Sequence, residues 1–178
     1  MLIATKYEEI YPPTVKDFIY ISKNAYTKPQ ILAMEMDILS TLEFKMSETS
    51  SYRFLQRYAK VARASPLIFN LAQYLLELGL LDSKMNQYLP SLQASGALYV
   101  ANRVLLKSHQ NRQDRQAPSC WTKLLETHTH YSSDDLKSCA KNFLQLAELI
   151  QKSELQTLLL KFAQKQHLEV ATIMNRAL

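Results

Sequence analysis

Apolar residues recur along this chain at three- and four-residue spacing, and polar or proline-marked breaks separate the runs, so the pattern predicts a succession of amphipathic helices. Met1–Ile10 reads as one short helix that stops at Pro12-Pro13, because proline lacks the donor N–H and disfavours α geometry in the residue before it. Pro13–Ser22 reads as a second helix with Val15, Phe18, Ile19 and Ile21 inward, although its β-branched and aromatic content also suits a strand. Thr27 is a good N-cap for a third helix reaching Phe44, with Pro29 in its first turn. Lys45–Ser50 is short and polar and marks a domain boundary.

The remaining runs are longer. Ser50–Ala64 carries Phe54, Leu55, Tyr58, Val61 and Ala62 on one face and a basic stripe of Arg53, Arg57, Lys60 and Arg63. That stripe reads either as a solvated face or as a dock for an acidic or phosphorylated partner. Ser65-Pro66 caps and opens Leu67–Leu80, whose near-continuous apolar content predicts a central, buried helix. In Pro90–Lys107, Gly96 among Ala94, Ala97 and Ala101 predicts a close helix–helix crossing. Ser108–Ala117 is a polar loop with Arg112 and Arg115 but no aromatic or glycine, so it reads as solvated rather than as a nucleic-acid cradle. Trp121, Leu124 and Leu125 face inward from the next helix. Ser132 or Ser133 caps Asp134–Lys152, whose core stripe is Leu136, Phe143, Leu146 and Ile150. A last helix, Ser153–Gln166, is expected to bury Leu155, Leu158, Leu159 and Phe162.

Two charges break the pattern. Lys6 has Leu2, Ile3, Glu9 and Ile10 as its helical neighbours, and Glu35 has Ile31, Leu32, Ile38 and Leu39. Long charged residues sit beside an apolar face only when something pairs them. One explanation is a salt bridge that fixes helix packing; the other is a polar anchor at a partner-binding surface.

Composition narrows the class. The chain has 178 residues, 47% hydrophobic and 21% charged, with two glycines (Gly79, Gly96), which favours an all-helical globular protein. Charge is uneven: residues 1–46 hold five basic and six acidic side chains, the remainder sixteen and ten. The modest basic excess fits acidic protein surfaces as readily as nucleic acid. No secretory leader is expected, since Lys6, Glu8 and Glu9 interrupt the apolar start, and no run approaches the ~20 residues that cross a bilayer. Cys120 and Cys139 read as reduced, intracellular thiols. Cys120, His128, His130 and Cys139 lack the spacing of a structural zinc site, so no metal is expected. Nucleotide-binding and kinase motifs are missing, as is any nucleophile elbow, so neither a cofactor nor an enzyme is expected.

L-I-A-T-K-Y-E-E-I-Y-P-P, then D-F-I-Y-I-S and Y-T-K-P-Q-I-L-A-M-E-M-D-I-L, closely resemble the second half of the cyclin box of mitotic (A/B-type) cyclins. The resemblance continues through L-A-Q-Y-L-L-E-L-G-L-L-D, Tyr88–Ser91, W-T-K-L-L-E, Tyr131, Asp135–Cys139 and K-F-A-Q-K with Val170-Ala171. It implies an all-α cyclin fold: a partial N-terminal box over residues 1–46, holding its third to fifth helices, then a complete five-helix C-terminal domain with a tail over 47–178.

The resemblance also implies a function. In cyclins the lysine of K-[FY]-E-E and the glutamate of M-E-x-x-[IL]-L form a pair that contacts the kinase backbone around its C helix, and Lys6 and Glu35 occupy those positions. Tyr7, Glu8, Glu9 and Ile10 fall in the segment that lies along the kinase, and Phe44 matches an aromatic that packs against the C helix. The implied partner is a cyclin-dependent kinase in cell-cycle control of the G2/mitotic type, in nucleus and cytoplasm, with no membrane and no nucleic acid. The M-R-x-I-L substrate-docking patch has no counterpart in these residues, so recruitment through R-x-L motifs is expected to be absent, and without a destruction box among them regulated mitotic degradation is not implied. T-H-T-H-Y stands at Thr127–Tyr131 where the family has an S-G-Y-like turn, which leaves that turn's geometry open. The alternative is a truncated cyclin-fold interaction module or competitor that binds partners without activating a kinase. A nucleic-acid adaptor of the transcription-factor cyclin fold is a third reading.

Overall fold

The computed structural model describes residues 1–47, 49–109, 120–153 and 156–177, and the chain divides into two compact units, Met1–Glu48 and Thr49–Leu178. Ten α-helices and two short 3-10 segments make up the secondary structure of the described residues.

The first unit holds α1 (Leu2–Glu8), α2 (Val15–Ile21) and α3 (Lys28–Thr41). Helix α1 is shorter than the apolar pattern predicts, so Glu9 and Ile10 lie beyond its end. The strand-like composition of α2 gives way to a strong local signal: Asp17 Oδ2 accepts from the Thr14 backbone N–H at 2.6 Å and from the Thr14 hydroxyl at 2.7 Å. Thr27 and Gln30 set the start of α3 in the same way, with the Thr27 N–H donating to Gln30 Oε1 at 2.9 Å. Burial here is slight. Leu2 is the one buried residue of the described part of this unit, and Ile21, expected inward, is exposed.

The second unit is a packed bundle. It contains α4 (Ser51–Val61), α5 (Pro66–Gly79), a 3-10 turn at Ser83–Gln87, α6 (Pro90–His109), α7 (Lys123–Thr129) and α8 (Ser133–Gln151). Helix α6, more than the expected α5, is the hub, since α4, α5 and α8 all pack on it. Its Ala94, Ala97, Leu98 and Ala101 are fully buried, and a methyl at Gly96 would meet Cys139 of α8, so the small residues do mark a close crossing. Trp121 and Leu125 face the core as the periodicity predicts, whereas Leu124 is 54% exposed. Ser132 is the N-cap of α8, with Asp135 N–H donating to its Oγ at 3.4 Å and Ser132 N–H donating to Asp135 Oδ2 at 2.8 Å. All four residues of the predicted α8 stripe are buried.

The turn at Thr127–Tyr131 forms without glycine. His130 takes the left-handed conformation (φ 61°) that ends α7, a position histidine tolerates better than most residues. Thr129 Oγ1 donates to Leu125 O and accepts from the Tyr131 N–H, and Trp121 Nε1 donates to Tyr131 O at 2.9 Å.

The tail departs from the single helix expected over Ser153–Gln166. It comprises α9 (Thr157–Phe162), a 3-10 turn at Lys165–His167 and α10 (Val170–Ala177). Phe162, Val170, Ala171 and Met174 are buried, so the tail completes the core instead of trailing from it. Lys161 pairs with Glu77 of α5 at 2.6 Å. Ser108 and His109, expected in the polar loop, extend α6; the rest of that loop, with Arg112 and Arg115, and Leu155 lie outside the described residues.

Candidate functional site

The two misplaced charges meet. Lys6 on α1 donates from Nζ to both carboxylate oxygens of Glu35 on α3, at 2.8 and 3.0 Å. The side chains are unequal in exposure: Lys6 is 49% exposed and Glu35 12%. The ammonium thus faces water while the carboxylate is sunk into the helix face. An ion pair this open is worth about 0–1 kcal/mol to folding, too little to explain two long charges placed against an apolar surface.

Other predicted site residues surround the pair without converging on it. The Tyr7 and Ser47 hydroxyls share a 3.0 Å hydrogen bond that ties α1 to the segment after α3. Glu8 and Glu9 are exposed, and Ile10 is 88% exposed just past the helix end. Phe44 is 61% exposed in a turn built from two left-handed residues, Glu43 (φ 50°) and Phe44 (φ 56°), its N–H returning to Leu39 O at 2.9 Å. An aromatic so exposed adds little to the packing of this unit.

Periodicity alone did not place the groove beside the pair. Leu2, Phe18, Tyr26, Ile31, Met34 and Ile38 line an open, largely apolar cavity of about 660 Å3, and Glu35 and Asp37 are its charged lining residues. The signal was present in α3. Ile31, Leu32, Met34, Met36, Ile38 and Leu39 wrap most of that helix's circumference, which is the pattern of a helix buried on every side. Yet Met34, Met36 and Ile38 are exposed.

No three His, Cys, Asp or Glu side chains of the described residues are arranged to hold a metal ion. Cys139 is fully buried under α6, and burial pushes its thiol up to about 12, so it is unreactive. No helix among the described residues is long and apolar enough to cross a membrane.

Comparison with known proteins matches the chain to two family profiles in series: the cyclin N-terminal domain over residues 1–47 and the cyclin C-terminal domain over residues 49–176. A G2/mitotic-specific cyclin-B of Dictyostelium discoideum is 35% identical over 173 residues, covering 97% of this chain and 38% of the relative. A G2/mitotic-specific cyclin-B of Spisula solidissima is 42% identical over 154 residues, 86% of this chain and 33% of that protein. A G2/mitotic-specific cyclin of Glycine max is 35% identical, covering 97% of this chain and 63% of its own length. The chain therefore spans between about a third and two thirds of the length of these relatives. With both profiles matched in order across an all-helical structure, the chain belongs to the cyclin family.

Proposed function

We propose that this chain is a regulatory subunit that binds a cyclin-dependent Ser/Thr protein kinase and activates it in cell-cycle control of the G2/mitotic type, acting in nucleus and cytoplasm. The observation that carries the proposal is the Lys6–Glu35 pair, with its ammonium open to a partner and its carboxylate at the edge of an apolar groove. The mitotic names of the relatives support the cell-cycle assignment. In this reading Lys6 and Glu35 hold kinase backbone around the C helix. Tyr7, Glu8, Glu9 and Ile10 run along the kinase, and Phe44 packs on the C helix.

The chain performs no chemistry itself. It binds better to the kinase conformation in which the C helix is turned in, so that the catalytic lysine pairs with the C-helix glutamate, and the population shifts accordingly. Apolar contacts supply most of the affinity. The ion pair supplies register, and removing one of its members inside the complex costs about 2–5 kcal/mol. The test is co-expression with a cell-cycle kinase, scoring complex formation and histone-type kinase activity, with Lys6→Ala and Glu35→Ala as controls. An active complex that both substitutions weaken supports the proposal; activity indifferent to both contradicts it.

A second reading is favoured by the sparse burial of the first unit, in which Leu2 alone among the described residues is buried. A face so open also suits a competitor that occupies a kinase without switching it on. Stable complex with no gain in activity identifies that case.

A further inference from the structure

The basic stripe of α4 does more than face water. Arg53, Lys60 and Arg63 line one side of an open groove of about 680 Å3, and Pro66, Phe69 and Asn70 of α5 line the other. No acidic residue lines it, and none of the three cations makes an ion pair among the described residues. A concave cluster of unneutralised cations attracts anions.

The chain crosses the end of this groove between α4 and α5. Arg63, Ala64 and Pro66 line it, and Ser65 stands between Ala64 and Pro66 in the chain without itself lining the groove. Ser65 is exposed and extended (φ −65°, ψ 157°), and its hydroxyl accepts a long 3.3 Å hydrogen bond from the Ile68 N–H as the N-cap of the 14-residue α5. Of the six prolines, Pro66 is the one that follows a serine or threonine. Ser-Pro is the dipeptide that proline-directed protein kinases modify.

We infer that Ser65 is a phosphorylation site, modified by a proline-directed Ser/Thr kinase with ATP as donor, and that the groove cations hold the resulting phosphate. In the transfer Ser65 Oγ bonds to the γ-phosphorus as the bridging P–O bond breaks. ADP leaves and the hydroxyl proton passes to the kinase's base. The product carries about −1.5 to −2 charge at pH 7. It sits where the start of α5 favours negative charge, and it offsets most of the groove's three positive charges. Modification therefore tightens the α4–α5 junction and ends the groove's attraction for other acidic chains. This inference stands apart from the kinase-subunit reading, because neither Lys6 nor Glu35 takes part.

The full chain is incubated with ATP and a proline-directed kinase that needs no cyclin, and phosphate is mapped by mass spectrometry. Ser65→Asn keeps a capping side chain and cannot be modified; Lys60→Gln with Arg63→Gln empties much of the groove's charge. The expected result is phosphate on Ser65 and a melting temperature raised by about 2–4 °C at low salt. That rise should fall by more than half in the double variant or in high salt. Phosphate on other residues with Ser65 untouched overturns the inference. So does a modified chain with no rise, or a rise that survives unchanged in the double variant.

Discussion

A methyl group added at Gly96 would stand 2.9 Å from Cys139 Sγ and 3.3 Å from its Cβ, and Cys139 is fully buried. Alanine gains about 1 kcal/mol of helix propensity over glycine, and overpacking a tight crossing costs about 1–3 kcal/mol. Overpacking wins. Gly96→Ala is expected to destabilise the chain by about 1 kcal/mol, read as a lower denaturant midpoint, and adding Cys139→Ala should return most of the loss by removing the obstructing sulfur. The crossing was legible because small residues cluster around Gly96; its partner was not, since nothing local names the residue across a helix pair. The same holds around the Lys6–Glu35 pair. Lys6 and Glu35 announced themselves as charges out of place, whereas the aim of Phe44 depends on two left-handed, non-glycine residues that no side-chain type requests. Because Lys6 is half exposed, Lys6→Ala should shift the thermal midpoint of the isolated chain by no more than about 4 °C. A larger loss would mean that the pair serves folding.

At the scale of elements, helix starts were readable and helix ends were less so. Thr27, Ser65 and Ser132 each stand at the N-cap the sequence marks, Thr27 and Ser132 with an amide or acid three residues on and Ser65 with a proline after it. Helix α2 instead starts later than Pro13 suggested, with Thr14 as its N-cap. The break between α9 and α10 is different. Leu168 and Glu169 turn the chain in left-handed geometry (φ 56° and 53°), and from Ser153 onward no glycine or proline marks it. Capping also makes a pH prediction. Hydrogen bonds from the Ser132 side chain and then its backbone hold the Asp135 carboxyl below its usual value of 3.8. A carboxyl lowered in the folded state adds stability that is present above the unfolded value and is lost as pH falls through the folded one. The wild-type chain should therefore lose thermal stability below about pH 4 more steeply than Asp135→Asn, which cannot ionise. Parallel melting curves of the two between pH 5 and 2.5 would show the cap to be immaterial.

Over the whole molecule the contrast is between a unit with a full core and one with almost none. Tyr74, Phe143, Phe162, Leu71, Leu75, Leu78 and Leu98 are sealed in the second unit, while the first leaves Tyr20, Met34, Met36, Leu42 and Phe44 exposed. Local stability follows buried apolar contact, so backbone amides of α1–α3 should exchange with deuterium well before those of α5, α6 and α8. Equal protection in both units would contradict this. The periodicity made most helices legible, though not α10 and not α2 unaided, and the family resemblance made their order legible. The periodicity did not tell how little of α3 would be covered, because covering surface is a property of neighbours; the resemblance did, since three helices of a five-helix box lack two of the partners that would cover them. That uncovered surface is what a partner would bury. If Lys6 and Glu35 hold a kinase, affinity reports it. The dissociation constant of a cell-cycle kinase should be measured by titration calorimetry for the wild-type chain and for Glu35→Ala. A rise of about 30-fold or more, corresponding to about 2 kcal/mol, is the predicted result. An unchanged constant would contradict it.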